Sequence, residues 1–164
     1  MNFLVIGLSA LVPLVTGFIW YNPKVFGTAW IKTTGLTEEQ LKSANMPLIL
    51  GLSLLFSLML ATMLNGIVIH QAALQSIVMG DPDLQDPNSA LSILLKDFTS
   101  KYGNNFRTFK HGVFHGVISA LFFALPVLGT NALFERKSFL YIAIHTGYWV
   151  VTLGLMGGII CQFA

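Results

Sequence analysis

The chain has 164 residues, of which 54% are hydrophobic and only 10% are charged. Its mean hydropathy of +0.71 gives it more apolar surface than a soluble domain of this length can bury. The net charge of +2, without a cluster of basic residues, excludes the Lys/Arg stripe that nucleic-acid binding requires. The composition therefore predicts a small integral membrane protein whose solvent is the lipid bilayer.

Four long apolar runs support this prediction, and nearly every charge lies between them. A membrane-spanning helix needs about 20 apolar residues, so the chain has room for four spans and for no separate soluble domain. The predicted fold class is an all-α, integral membrane four-helix transmembrane bundle in one domain over residues 1–164. The predicted spans are about 2–21, 47–70, 108–128 and 139–163.

The first span contains a proline and leads into a group of aromatic residues. Pro13 removes a backbone donor in mid-helix and is expected to kink it. The run has neither the basic start nor the small-residue cleavage site of a signal peptide, so it is expected to remain as helix one. Aromatic rings prefer the headgroup level, which indicates a membrane boundary here. The predicted interfacial anchors are Trp20, Tyr21, Pro23, Phe26 and Trp30.

The first connection is predicted to contain a short helix that begins with a capping box formed by Thr37 and Gln40. Pro47 is then expected to open the second span, which ends near Ile69 or continues as far as Met79. The third connection is predicted as a tight turn over 129–138, after a third span that has Pro126 near its exit.

The second connection is predicted to contain an amphipathic helix over 87–102, capped by Asp86. Its apolar residues fall on one stripe, and its charged residues lie on the other face. The helix either packs on its own protein or lies in the membrane interface, and the interfacial placement is favoured. The stripe consists of Leu91, Leu94, Leu95, Phe98 and Tyr102.

Four spans place both termini on the same side of the membrane. The loops on the two sides carry five and four Lys and Arg residues, so the preference of basic residues for the cytoplasm distinguishes them only weakly. The uncharged N-terminus favours termini outside. The predicted location is the bacterial inner membrane, with periplasmic N- and C-termini.

Small residues recur along one side of each span, a pattern typical of close helix–helix contact in membranes. They predict a compact bundle, and they are equally compatible with contacts to other chains. The predicted packing residues are Gly17, Ser53, Ser57, Ala61, Asn65, Gly112, Gly116, Ala120, Gly147, Gly154 and Gly158.

Three of the four histidines are predicted to lie at a similar depth, because His70 ends the second span where His111 and His115 begin the third. The i, i+4 spacing of the last two places them on one helix face and can chelate a metal. His70 could add a third ligand. A paired-histidine haem site is an alternative, and so is a purely interfacial hydrogen-bonding role. No cofactor is predicted from the pattern alone.

His145 is expected near the opposite interface, where it meets Trp20 or Tyr21 or packs over Trp149 and has a structural role. The single cysteine, Cys161, excludes an internal disulfide and is interpreted as a packing residue. Neither an acidic residue nor a lysine lies deep in a span, which argues against proton- or ion-coupled transport.

The segment from Gly17 to Trp30, GFIWYNPKVFGTAW, is distinctive. It resembles the signature of a family of small bacterial membrane proteins known as domain of unknown function 1761. The resemblance covers helices one, three and four, but not the second connection. It implies a four-span bundle without an assigned activity, so no site residue is transferred. It continues in Thr37-Glu38-Glu39, in Phe122, Ala124, Pro126, Asn131, Phe134, Glu135 and Arg136, and in Tyr148-Trp149.

Three functions are compatible with these features. The first is a non-catalytic accessory or structural subunit of a larger membrane assembly, or a homo-oligomer, because the chain is rich in packing motifs and poor in reactive groups. The second is a metal- or haem-binding module that uses His70, His111 and His115. The third is a small passive channel or transporter with a polar route past Ser53, Ser57 and Asn65.

Overall fold

The computed structural model describes residues 2–164, and over that range it is helical, without strands. Short π-helical turns occupy Pro23–Gly27 and Ala120–Ala124, and a 3₁₀ turn occupies Pro82–Gln85. The α-helices of the described chain are α1 (Phe3–Ser9), α2 (Val12–Trp20), α3 (Thr28–Thr34), α4 (Glu38–Lys42), α5 (Met46–Val68), α6 (Gln71–Ile77), α7 (Ala90–Tyr102), α8 (Phe109–Ser119), α9 (Leu125–Phe134) and α10 (Phe139–Phe163).

Four helical segments within residues 2–164 are long and apolar enough to cross a membrane. This confirms the all-helical fold and is consistent with the multi-pass membrane protein that composition indicated. The first joins α1 and α2, and the third joins α8, the following π turn and α9. The segments are Phe3–Trp20, Met46–Val68, Phe109–Phe134 and Phe139–Phe163.

Pro13 interrupts the first segment as expected. Helix α1 ends at Ser9, and α2 begins at Val12 with the proline in its first turn. The Thr16 hydroxyl approaches the Thr152 hydroxyl at 2.8 Å, which ties the segment to α10 just past the break. The discontinuity is therefore supported by a neighbouring helix, as a membrane environment requires.

The second span is shorter than the longest predicted extent. Helix α5 stops at Val68, and Ile69 is extended, with φ −107° and ψ 94°. The Val68 carbonyl accepts a hydrogen bond from the Cys161 thiol at 3.3 Å. In a longer helix, this carbonyl would accept from a backbone N–H of the next turn. The chain becomes helical again only at Gln71.

The third span is longer than predicted. It continues to Phe134, so Gly129 lies inside a helix and not in a turn. Pro126 sits in the first turn of α9, directly after the π-helical turn, where its missing N–H removes no α-helical bond. The prediction of a loop from Gly129 onward was therefore wrong, and the connection to α10 is only a few residues long.

The amphipathic helix begins three residues later than the predicted start. The Ser89 hydroxyl caps α7 by accepting from the Ser92 N–H at 3.0 Å. The Asp86 carboxylate instead accepts from the Asn88 N–H at 2.9 Å in a local turn, so the predicted Asp86 cap is wrong. The helix ends at Tyr102, as expected.

The first connection contains one predicted and one unpredicted helical stretch. The capping box is confirmed, because the Thr37 N–H donates to Gln40 Oε1 at 2.9 Å and the Gln40 N–H donates to Thr37 Oγ1 at 3.2 Å. The π turn at Pro23–Gly27 and helix α3 were not predicted. Trp20, Phe26 and Trp30 therefore lie on helical backbone, and Tyr21 follows α2 directly. The Trp20 and Phe26 ring centroids are 4.4 Å apart, and those of Tyr21 and Trp30 are 5.3 Å apart.

Helix α10 lies at the centre of the packing and contacts all the other spanning segments. The closest approach is to α8, because Gly112 lies against Gly157, and Gly116 lies against the backbone of Leu153 and Gly154. A Cβ atom at either α8 glycine would overlap the backbone of α10. The buried core runs along this contact and along α5.

The other predicted packing residues are distributed over several contacts. Ser57, Ala61, Asn65 and Ala120 are buried, and Ser53 is half-buried. Gly17 faces the Tyr148 ring, Gly147 faces the Trp20 ring, Gly154 faces Val117 and Gly158 faces the Phe109 ring. The small residues thus lie against aromatic side chains as well as against the backbone of a neighbouring helix.

Candidate metal centre

Three imidazole rings meet at the end of the molecule where α5 stops and α8 begins. His70 Nε2 lies 2.8 Å from His111 Nε2 and 3.2 Å from His115 Nε2. The potential ligand atoms of the three residues all lie within 4.8 Å of one another. His70 is exposed and the other two are half-buried, so the cluster can be reached from outside the core.

Local backbone features place these rings. Thr108 caps α8 by accepting from the His111 N–H at 3.3 Å, which sets His111 in the first turn and His115 one turn later on the same face. The break at Ile69 ends α5 and places His70 at the cap of α6. Two independent helix boundaries therefore bring the three side chains together.

Aromatic side chains surround the cluster. The Phe106 ring lies 5.2 Å from the His111 ring and 6.1 Å from the His70 ring, and the Phe114 ring lies 5.5 Å from the His115 ring. Phe106 has φ 62°, a left-handed conformation that is strained for a residue with a side chain. The backbone before α8 is thus held in an uncommon conformation at the edge of the histidine cluster.

Hydrogen bonds tie this backbone to the end of α10. Arg107 Nε donates to the Cys161 carbonyl at 2.8 Å, and Arg107 Nη2 donates to the Ala164 carbonyl. A guanidinium at a helix C-terminus satisfies free carbonyls and interacts favourably with the helix dipole. The Cys161 thiol lies 3.3 Å from the Phe106 carbonyl and so links α10 to the same loop.

The two distances from His70 Nε2 are compatible with a single transition-metal ion shared by the three histidines. Two nitrogen ligands at 2.0–2.1 Å in a tetrahedral site are about 3.3 Å apart, which is close to the 2.8 and 3.2 Å between the histidine nitrogens. Imidazole nitrogen suits Zn, Cu, Fe and Ni. A haem with two axial histidines needs its nitrogens on opposite sides of the iron, roughly 4 Å apart with a flat macrocycle between them. Three converging nitrogens do not fit that arrangement.

His145 lies in a second polar cluster, apart from these three residues. Tyr21 Oη lies 2.9 Å from His145 Nδ1, and the His145 ring packs against Tyr141 at 4.3 Å. Burial raises the pKa of the Tyr21 phenol well above its usual range, so the hydroxyl stays protonated. The tautomer of His145 decides which of the two atoms donates in this hydrogen bond. The contact expected between His145 and Tyr21 is present, and Trp20 Nε1 donates nearby to the Ile144 carbonyl at 3.1 Å.

The Tyr21→Phe substitution removes the hydroxyl from this cluster and keeps the ring. We expect it to lower the free energy of unfolding by about 1 kcal/mol, because it leaves a buried imidazole nitrogen without its partner. Thermal unfolding in detergent measures the loss. Tyr141→Phe is the matched control, since it preserves both the ring contact and the Tyr21–His145 bond. An equal loss in the two variants would contradict the assignment.

The structure combines four helical segments that could span a membrane with a candidate metal centre at one end of its helices. The chain belongs to the family described as "Protein of unknown function (DUF1761)", whose family model matches residues 4–161. This confirms the family resemblance seen in the sequence. The chain matches no curated protein and no solved structure.

Proposed function

We propose that this protein is a membrane-embedded metal-binding module in which His70, His111 and His115 hold one first-row transition-metal ion. The observation that supports the proposal is the convergence of three imidazole nitrogens, two pairs of which lie 2.8 and 3.2 Å apart. A neutral imidazole has one N–H, so the His70 Nε2–H can donate to only one of the two neighbouring nitrogens at a time, whereas a metal coordinates three neutral imidazoles at once. Zn²⁺ is used for the tests below, because it is commonly held by imidazole ligands in a tetrahedral site.

The proposed topology is a four-helix transmembrane bundle with both termini on one side. The Asn2 side-chain amide lies 3.5 Å from the Phe163 carbonyl, which supports a common side for the two ends of the chain. The histidines belong to the same side, because Arg107 and Cys161 join their loop to the end of α10. We propose that this side is the periplasmic face of a bacterial inner membrane, as the uncharged N-terminus favours.

Helix α7 is proposed to lie in the interface at this face. Leu94 is 62% exposed and Phe98 is 42% exposed, although both belong to the apolar stripe. An apolar face that the described chain leaves uncovered is stabilised by the boundary between headgroups and acyl chains. In that position α7 lies beside the metal site, since Gln71 bonds the carbonyl of Tyr102 at its end.

Metal stoichiometry tests the proposal. Purified protein in mild detergent is stripped with a chelator and dialysed against Zn²⁺ near pH 7.5, where imidazoles are mostly unprotonated. We expect one Zn²⁺ per chain. Binding with no saturation, or none above a detergent blank, would refute the proposal.

Metal binding should also stabilise the fold. The ion links the end of α5 to the start of α8, and a ligand that binds only the folded state at 100 times its Kd adds about 2.7 kcal/mol. We expect the unfolding temperature to rise when Zn²⁺ is added and to fall back when chelator is added. Mg²⁺, which prefers oxygen ligands, is the matched control and should leave it unchanged.

A structural role in a larger assembly is the second candidate. An apolar groove of about 600 Å³ lies between α5, α9 and α10, with Met63, Phe123 and Trp149 among its lining residues. The proposed occupants are other membrane subunits or a second copy of this chain. The molecular mass of the detergent-purified protein tests this role, and a monomer without a co-purifying protein would exclude it.

The passive-channel hypothesis has less structural support. The Ser57 hydroxyl donates to the Ser53 carbonyl of its own helix at 2.7 Å, so it is already occupied. Asn65 is buried at 8% exposure, in the packed face of α5. Flux measurements in liposomes test the hypothesis. None of the three proposals requires catalysis.

A further inference from the structure

The end of α10 lies against both backbone segments that carry the three histidines. The Cys161 thiol lies 3.3 Å from the Val68 carbonyl, where α5 ends just before His70. It also lies 3.3 Å from the Phe106 carbonyl, in the loop that leads to His111. Cys161 is fully buried. One side chain of α10 therefore contacts the two segments from which the histidine cluster is built.

Arg107 links the same loop to the end of α10 from the other direction. Its Nε donates to the Cys161 carbonyl at 2.8 Å, and its Nη2 donates to the Ala164 carbonyl. Carbonyls in the last turn of a helix have no partner within the helix, and a guanidinium satisfies them with charge-assisted bonds. Arg107 lies between Phe106, whose ring packs against the histidine cluster, and Thr108, which caps α8. The start of the histidine-bearing helix is thus anchored on α10.

Gln162, the next residue of α10, provides a third link. Its side-chain Oε1 accepts from the Phe109 N–H at 3.2 Å. Phe109 is the first residue of α8, and N–H groups in the first turn of a helix have no partner within that helix. Gln162 therefore satisfies a free donor of α8 from a different helix, two residues before His111.

The glycines that bring α8 against α10 each follow a histidine. Gly112 follows His111, and Gly116 follows His115. A Cβ atom at Gly112 would lie 2.5 Å from the Cys161 Cβ. Contact this close leaves α8 little freedom to rotate or slide on α10. The relative position of the three imidazole rings therefore depends on the end of α10.

We propose that the end of α10, residues 161–164, positions the metal site, so that metal affinity and the order of this turn are thermodynamically coupled. The inference rests on the proposed function, because it needs an ion on the three histidines. It assigns Arg107 and Gln162 as positioning residues, which hold the ligands in place through the backbone. Coupling of this kind is reciprocal. A change at the end of α10 weakens metal binding, and bound metal stabilises the end of α10.

The zinc affinity of an Arg107→Met variant tests the coupling. Methionine keeps an apolar stem and removes the donors, and we expect the affinity of the full-length protein in detergent to fall about tenfold. Charge alone predicts the opposite sign, because loss of a nearby cation favours bound Zn²⁺. Lys110→Met is the matched control, since it removes an exposed cation in the first turn of α8. It should leave the affinity unchanged or slightly higher. Competition with a coloured zinc chelator measures both variants.

Substitutions at Gln162 keep the test decisive if the methionine variant fails to fold. Gln162→Leu removes the acceptor of the Phe109 N–H and should also lower zinc affinity about tenfold. Gln162→Glu keeps an acceptor oxygen and should recover the affinity of the unsubstituted protein. Unchanged zinc affinity in whichever of the Arg107→Met and Gln162→Leu variants folds overturns the inference. Failure of the unsubstituted protein to bind zinc instead refutes the metal site itself.

The single cysteine gives a second readout, which needs no substitution at the end of α10. Because Cys161 is fully buried, N-ethylmaleimide reacts with it only when this turn opens locally. Saturating Zn²⁺ should slow the alkylation at least about tenfold, since the ion stabilises the closed form. The same zinc concentration should leave the alkylation rate of the His111→Ala variant unchanged. A rate that zinc does not alter in the unsubstituted protein overturns the coupling. Equal slowing in both proteins, which would mean that zinc shields the thiol directly, overturns it as well.

Discussion

The His111→Ala variant should bind Zn²⁺ at least about 100-fold more weakly than the unsubstituted protein. His111 Nε2 lies 2.8 Å from His70 Nε2, so its removal leaves two ligands on different helices and an ion that water must largely coordinate. Loss of a residue that hydrogen-bonds a metal ligand already reduces metal affinity by about 10–100-fold. Loss of a ligand itself reduces the affinity further. Competition titration with a coloured zinc chelator measures the change.

The fourth histidine provides the control for that experiment. His145 bonds Tyr21 and packs on Tyr141, outside the three-histidine cluster. The His145→Ala variant should therefore keep the Zn²⁺ affinity of the unsubstituted protein, even if its folded state is less stable. Equal loss of affinity in the two variants would show that the zinc signal follows general damage and not the cluster.

The Gly116→Ala variant should be strongly destabilised. The new Cβ would overlap the Leu153 carbonyl and lie 2.9 Å from Gly154 Cα, and neither backbone atom can move without shifting a helix. Overpacking of this kind costs about 3 kcal/mol, which corresponds to a drop of roughly 10 °C in Tm for a chain of this size. Thermal unfolding in detergent, followed by circular dichroism, measures the change.

Gly51→Ala is the matched control. Gly51 also lies inside a spanning helix, but apart from its own helix backbone no atom of the described residues lies within 4 Å of the place that an alanine methyl would occupy. Alanine is the better helix former by up to about 1 kcal/mol, so Tm should stay the same or rise slightly. If the two variants have the same Tm, the close α8–α10 contact does not determine stability.

Hydropathy alone was sufficient to find the four segments that could span a membrane, because each is apolar over nearly its whole length. Hydropathy was less informative at the ends. At the end of α5, the Val68 carbonyl accepts from the distant Cys161 thiol. In the third span, Gly129 is buried in α9 beside Ile142 of α10. Contacts far apart in sequence set these boundaries, and a local pattern does not contain them.

The histidine cluster was the part of the site that spacing could indicate. Antiparallel neighbours place the end of one span beside the start of the next, and the i, i+4 pair shares a face. The roles of Phe106, Arg107 and Gln71 were not predicted. Arg107 offered a signal, since a cation just outside a span can cap the end of a neighbouring helix, whereas the left-handed Phe106 and the amide of Gln71 depend on a loop that has no periodic pattern.

X-ray absorption spectroscopy at the zinc edge of the Zn²⁺-loaded protein tests the central claim most directly. The account predicts three imidazole nitrogens at about 2.0 Å with one oxygen ligand, and the loss of one imidazole in the His111→Ala variant. A sulfur ligand at about 2.3 Å, or an oxygen-only shell of the kind given by adventitious zinc, would contradict it.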